Sequence, residues 1–369
     1  MPEVGRPLRL VFVANPTHVL VERWVNFLAG RGHEVTVLDG FDFPDPRGLD
    51  EGVRVVRYDA RGPIRLPLAP TLHARRTLRR LLARIEPDVV HGHALKRYGW
   101  QVGVAGWHPY VISTWGSDVL LPPAGPQARF WNRWTMSRAD LVTAVSPYMR
   151  DAAIRAGARA ERVALVHFGV DTRRFAPAPG GLEERRGAPL VFSPRAIKPI
   201  YNHETILAAF ARLSGDARIV MTGRNADPPH RDALERRMSE LGIRDRVEIV
   251  DDVPDDAMLT LYRTATVVVS APTSDSFPIS LLEAMACGTP VVAGDLPAVR
   301  AGLEDVVPDW IVPTRDVDAV AAALRRAIEL SPAERAALGA TLRGRALESD
   351  YETNMLRMEE LYRSLAARG

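Results

Sequence analysis

Residues 266–293 read TVVVSAPTSDSFPISLLEAMACGTPVVA. Two short runs, Thr266–Ser270 and Pro290–Ala293, flank a polar loop and an apolar stretch of helical length, Ile279–Ala286. Unbroken apolar strands of this kind belong to parallel sheets buried on both faces, and parallel neighbours need a crossover between them, usually a helix. The stretch therefore reads strand, loop, helix, strand. Pro278 fits the helix start, because its missing N–H is not needed in the first turn.

The same alternation runs outward in both directions. Upstream lie strands at Leu190–Ser193, Arg218–Thr222 and Val247–Val250, with helices at about Glu204–Leu213 and Arg231–Leu241; a further helix follows at Val317–Leu330. The first half repeats the pattern with strands at Leu8–Ala14, Glu34–Asp39, Val53–Asp59, Asp88–His93, Tyr110–Thr114, Asp140–Val145 and Val163–Phe168. Between Asp171 and Pro189 it lapses into DTRRFAPAPGGLEERRGAP, as a linker would. The expected fold class is α/β, with two Rossmann-like doubly wound domains, 1–175 and 176–348, facing across a cleft. A helical tail, 349–369, is expected to pack back across them. In such sheets ligands sit beyond the carboxyl ends of the strands, at the switch point of strand order.

Composition agrees. A chain of 369 residues suggests two domains at ~150 residues each. With 46% hydrophobic and 25% charged residues it is globular rather than disordered or fibrous. A net charge of +3 gives no field of the kind a nucleic-acid binder shows, so no nucleic-acid partner is expected. The single cysteine, Cys287, excludes an intramolecular disulfide and fits a reducing, cytoplasmic setting. The opening MPEVGRPLRLVFVAN carries Glu3 and no small-residue cleavage site, so it reads as a first strand, not an export signal. Tyr98–Ser117 has no formal charge over twenty residues, but its glycines, Gln101, His108 and Pro109 make it a buried helix and strand rather than a membrane span.

Several familiar chemistries are absent. The turn after the first strand reads ANPTH, not GxGxxG, and neither GxxxxGK[ST] nor GxSxG occurs. His91 and His93 share one face of a strand, yet no third metal ligand stands near them in sequence, so they read as satisfied polar residues. The loop before Ile279 is more informative. Free amides around Ser276 to Ser280 and the positive end of the helix dipole would stabilise an anion. Asp275 and Glu283 could accept hydrogen bonds from sugar or ribose hydroxyls. From spacing alone, Glu283 could equally be a solvated face residue and Asp275 a loop cap.

The carboxylate, seven residues, glutamate, then AMACGTPVV resemble the signature of the family 4 glycosyltransferases. These are retaining enzymes of the GT-B fold that use nucleotide-sugar donors. RGHEVTVL at 31–38, PDVVHGH at 87–93, STWGSDVL at 113–120, RADLVTAVSPYM at 138–149, GVDTRRF at 169–175 and PLVFSPRAIKPIYNHETILAAF at 189–210 agree in order and spacing. The resemblance covers nearly the entire chain. It implies that the second domain binds the donor and the first the acceptor, a sugar, lipid-linked or small molecule. It implies that Glu283 holds the ribose, that Ser276, Phe277, Pro278 and Ile279 meet the diphosphate or donor sugar, and that Arg195 and Lys198 neutralise the diphosphate. The base would rest on backbone at Asp252, Val253 and Pro254. Neither a metal nor another cofactor is expected. Asp275 and Asp118 are the candidates for holding sugar and acceptor hydroxyls, with His18 and Trp115 also on the acceptor side. The departing phosphate would take the acceptor proton.

The chain also departs from the family. Asp275 stands where glutamate is usual, one methylene shorter. Asn15, Pro16, Thr17 and His18 replace a glycine-rich loop, and Pro16 has no amide to give a phosphate. Trp115 stands where many relatives have histidine, and Tyr201 and Asn202 occupy the usual place of the lysine. These departures keep two other readings open: a GT-B nucleotide-sugar epimerase and a catalytically silent nucleotide-binding subunit. Finally, HARRTLRRLLAR at 73–84 holds five arginines and no acid. It reads either as a solvated outer helix or as a basic helix making weak peripheral contact with the inner face of a membrane.

Overall fold

The computed structural model describes residues 6–60, 69–178, 187–223, 226–251 and 253–368. It divides into two compact units, one holding residues up to His167 together with those from Thr353 on, the other Phe168–Glu352.

The first unit runs β1 (Arg9–Val13), α1 (Val19–Gly30), β2 (Glu34–Asp39), β3 (Val53–Arg57), α2 (Ala69–Ile85), β4 (Val89–His93), α3 (Trp100–Ala105), β5 (Tyr110–Ser113), α4 (Ser117–Leu120), α5 (Pro126–Arg138), β6 (Leu141–Ala144), α6 (Pro147–Arg155) and β7 (Val163–Leu165). Its strands form one parallel sheet in the order β3-β2-β1-β4-β5-β6-β7. The order reverses between β1 and β4, so the loops after Val13 and His93 flank the switch point. Val11, Val13, Val90, Ile112 and Val142 are fully buried under Leu78 and Leu82 of α2 and Met136 of α5. The apolar side of α2 is thus spent on the core, and Arg75, Arg76, Arg79, Arg80 and Arg84 all face outward. The uncharged window resolves as an irregular turn at Leu95–Gly99, then α3 and β5, as its glycines and proline suggested. Among the described residues no helix is long and apolar enough to cross a membrane.

The second unit runs β8 (Leu190–Ser193), α7 (His203–Phe210), β9 (Arg218–Thr222), α8 (Pro228–Glu240), β10 (Val247–Val250), α9 (Asp255–Thr264), β11 (Val267–Ser270), α10 (Ile279–Ala286), β12 (Val291–Gly294), α11 (Pro297–Leu303), β13 (Ile311–Val312), α12 (Val317–Glu329), α13 (Pro332–Leu347) and the start of α14 (Tyr351–Ala366). Its parallel sheet has the order β10-β9-β8-β11-β12-β13, reversing between β8 and β11. The Val-rich strands β11 and β12 are buried on both faces, as their composition predicts. The strand β13 lies outside the sequence expectation because two residues are too short to show a period.

The segment expected to open the linker belongs to the second unit instead. Val170 and Phe175 are buried in that unit's core, and Val170 exchanges backbone hydrogen bonds with Ser349 and Tyr351. Gly169 makes this crossing feasible: its φ is +71°, and a Cβ there would lie 2.6 Å from the Tyr351 Cα. From Thr353 on, α14 is anchored to the first unit. The Tyr362 hydroxyl meets His91 Nδ1 at 2.5 Å, and the buried Glu359 carboxylate pairs with Arg31 and, at 2.8 Å, with Arg363.

Candidate active site

At the switch point of the second sheet, the loop after β8 carries Arg195 and the loop after β11 carries Asp275. Eighty residues apart in sequence, they form an ion pair: Arg195 Nη2 donates to Asp275 Oδ2 at 2.6 Å, with both side chains about 15% exposed. Arg195 Nη1 reaches Ser280 Oγ at 3.4 Å, and its guanidinium lies over the Tyr201 ring at 4.2 Å. The arginine is therefore held over an aromatic face, with one arm of its fork on Asp275 and the other toward Ser280 at the start of α10. Its backbone carbonyl accepts from His203 Nε2 at 3.2 Å, and burial pushes that imidazole down to about 4.

The start of α10 has no side-chain cap, and Pro278 occupies the capping position. The structure narrows the expected row of free amides. That of Ser276 is taken by Asp275 Oδ1 at 2.7 Å, so Asp275 caps the loop as well as pairing with Arg195. The amides of Phe277, Ile279 and Ser280 find no hydrogen-bond acceptor among the described residues. Ser276 is buried and the Phe277 ring packs inward; a Cβ on Gly302 would lie 2.6 Å from that ring.

One turn into α10, Glu283 is half-buried, and its Oε2 accepts the Tyr262 hydroxyl at 2.7 Å. This decides against a merely solvated Glu283. Tyr262 is fully buried on α9, and burial with the adjacent Glu283 charge holds its phenol well above the usual range. Sequence reading missed Tyr262, because a tyrosine among Met258, Leu259 and Leu261 reads as core. Lys198 is exposed and has no ion-pair partner among the described residues. Asn202, in the lysine's usual place, is a tether: its Nδ2 donates to the Ala271 and Thr314 carbonyls at 3.1 and 2.5 Å. Val253 and Pro254 lead into α9, while Asp252 lies outside the described residues.

In the first unit, Asn15 folds the loop after β1 by accepting the Thr17 amide and hydroxyl, both at 2.9 Å. His18 caps α1 through Nδ1 and stands edge-on to Trp115, ring centroids 4.6 Å apart. Asp118 is surrounded by backbone amides. It is buried, and its two oxygens accept the amides of Leu95, Trp115 and Gly116 at 2.8 to 3.0 Å. Burial raises its pKa against those amides, and the carboxylate folds the turn. His91 and His93 are buried beside Phe12 and Trp24. Burial and the nearby His18 push His93 down to about 3. Among the described residues no three His, Cys, Asp or Glu side chains cluster as a metal site requires. The reading of the pair as satisfied polar residues holds for His91, whose ring nitrogens meet Tyr362 and Ser113, but not for His93, neither of whose buried ring nitrogens has a hydrogen-bond partner among the described residues.

Residues 17–174 match the model of Glycosyltransferase Family 4, and residues 179–343 match that of Glycosyl transferases group 1. A GDP-mannose-dependent α-(1-6)-phosphatidylinositol monomannoside mannosyltransferase of Mycolicibacterium smegmatis is 30% identical over 357 residues, covering 90% of each chain. This chain belongs to the family 4 glycosyltransferases. An MMP α-(1->4)-mannosyltransferase of Mycolicibacterium hassiacum is 28% identical over 87% of each chain. Among solved structures, sucrose-phosphate synthase of Thermosynechococcus elongatus superposes with a TM-score of 0.80 at 22% identity, covering 98% of this chain and 99% of that one. HepE of Anabaena, solved with UDP and glucose, gives 0.80 at 18% identity, with 97% and 100% covered. These likenesses place both units of this family 4 chain in the GT-B fold. The chain is an enzyme of sugar transfer from a nucleotide-sugar donor.

Proposed function

We propose that the loops after β8 and β11 bind the donor's diphosphate and that transfer proceeds with retention. The observation that carries this is the constellation at the second switch point: Arg195 aimed at an uncapped helix start, with Glu283 fixed by Tyr262 one turn deeper. An anion at the amides of Ile279 and Ser280 would complete the hydrogen bonding that the helix lacks. As the bond between sugar and phosphate lengthens, charge grows on the diphosphate, and Arg195, Lys198 and those amides stabilise it more than they stabilise the ground state. Glu283 would accept from ribose hydroxyls while held by Tyr262. Asp275, shared between Arg195 and the Ser276 amide, would meet a sugar hydroxyl. On this reading the leaving phosphate takes the acceptor proton, and charge stabilisation draws on no resident metal.

Release of nucleoside diphosphate from GDP-, UDP-, ADP- and dTDP-sugars, with candidate acceptors, tests the reading. GDP-mannose comes first, since the M. smegmatis relative is named for its use. Glu283→Ala and Arg195→Ala should each abolish most turnover; product formation within a few-fold of the parent would refute the assignment. A cytoplasmic enzyme working at the inner face of the membrane fits the five outward arginines of α2. With its apolar side buried, that helix would adhere by charge rather than insert. Salt-sensitive cosedimentation with anionic but not zwitterionic vesicles would support this.

A further inference from the structure

A second concavity lies wholly within the first unit, around the carboxyl ends of β2 to β4. It is a cavity of about 490 Å³, in the ~300–1,000 Å³ range typical of small-molecule sites. Its walls include Phe41, Trp100, Val104, Ala128 and Trp131, and among the described residues no carboxylate lines it. Phe130, 59% exposed and edge-on to Trp131 at 5.5 Å, continues the apolar wall outward. Apolar surface left open in this way implies an apolar occupant.

Charge narrows the occupant further. Arg97 stands exposed on the rim, its guanidinium over the Phe41 ring at 5.3 Å. Its backbone is held at φ +67°, ψ −76°, a conformation that L residues adopt only when the surroundings impose it. Residues 89–139 contain five cations, Lys96, Arg97, Arg129, Arg133 and Arg138, and a single acid, Asp118, which is buried on backbone amides. On the other side of the cavity, Asp39, Asp42 and Asp45 already face Arg57.

We propose that this cavity seats the apolar body of the glycosyl acceptor, and that Arg97 holds an anionic group, phosphate or carboxylate, on the same molecule. The acceptor is then an anionic amphiphile rather than a free sugar. Only the word acceptor rests on the transferase reading; the binding claim stands on the cavity itself.

Calorimetric titration of the full chain with dodecyl phosphate, kept below micelle formation, and with 2-naphthyl phosphate tests the claim and separates an aliphatic from an aromatic body. At least one should bind saturably at a concentration where inorganic phosphate does not. Ala128→Phe narrows the cavity and should weaken binding by about tenfold or more, the equivalent of about two methylenes denied burial. Ala124→Trp, at an exposed lining position where the fold is not at risk, should act in the same direction. Arg97→Gln should cost about fivefold, the worth of an exposed ion pair. Nucleoside diphosphate binding should be unchanged in all three variants. Failure of both apolar phosphates to bind, or affinities untouched by these substitutions, would overturn the proposal. If no nucleotide sugar is bound or consumed, the transferase reading fails instead, and the phosphate titrations still decide the cavity.

Discussion

The pairing of Arg195 with Asp275 gives the sharpest mutational prediction. Arg195→Ala removes a preorganised cation from the place where charge develops, a loss of ~2.7–4 kcal/mol in the transition state, or ~10²–10³ in kcat. It also strands Asp275. Exposed pairs are worth ~0–1 kcal/mol and breaking a buried one costs ~3–5 kcal/mol, so at about 15% exposure the stability cost should be about 2 kcal/mol. For a unit of this size that is ~4–8 °C in Tm. Asp275→Asn should act in the opposite direction on binding. It frees Arg195 from its carboxylate, so nucleoside diphosphate should bind about fivefold tighter, while kcat falls because the sugar loses its charged acceptor. Nucleoside diphosphate release at saturating donor gives kcat, calorimetry gives the affinity, and thermal unfolding confirms the fold. The double variant should show coupling between the two sites. If Arg195→Ala keeps kcat within about threefold of the parent, or Asp275→Asn leaves nucleoside diphosphate affinity unchanged, the reasoning is refuted.

Tyr262→Phe should raise KM for the donor several-fold with little change in kcat, because Tyr262 positions Glu283 without touching the reacting atoms; an unchanged KM would show that Glu283 needs no such support. Glu359 is opposed by burial but held below the usual glutamate range by Arg31, Arg363 and His33. A depressed carboxyl contributes stability above its unfolded pKa and loses it as pH falls through the folded one. Thermal stability should therefore drop on acidification below about pH 4.3, and Glu359→Gln should be less stable at pH 7 but less acid-sensitive; parallel pH curves for the two proteins would contradict this. Turnover should survive EDTA with less than about twofold loss if the side chains and helix amides supply the charge stabilisation. Loss of turnover that added divalent cation restores would place a metal in the reaction.

The sheets were legible because most strands are short apolar runs and most crossovers are helices with their own start and stop signals, the helix-free connection from β2 to β3 being an exception. The positions of the loop before Ile279 and of the glutamate one turn into α10 were legible because local sequence sets a helix start and its spacing, while the roles given to them came from the family resemblance. What escaped depends on contacts between distant residues. Arg195 and Asp275 were both singled out, but their mutual pairing joins loops on either side of a switch point. Tyr262 looked like core because only its hydroxyl does anything else. Asp118 was singled out as a holder of sugar or acceptor hydroxyls, but sequence does not show that three amides converge on it. Asn202 stood out as a departure, yet its tethering of Ala271 and Thr314 follows from a left-handed backbone that positions it between two loops.

The central claim is that the nucleotide diphosphate rests on the start of α10 while Glu283 grips its ribose. A crystal structure with an unreactive donor analogue tests it most directly. The account predicts phosphate oxygens within hydrogen-bond distance of Arg195 and of the Ile279 and Ser280 amides, and both ribose hydroxyls on Glu283 with the Tyr262 contact intact. A nucleotide bound away from this loop, with Glu283 contacting no part of it, would contradict the account.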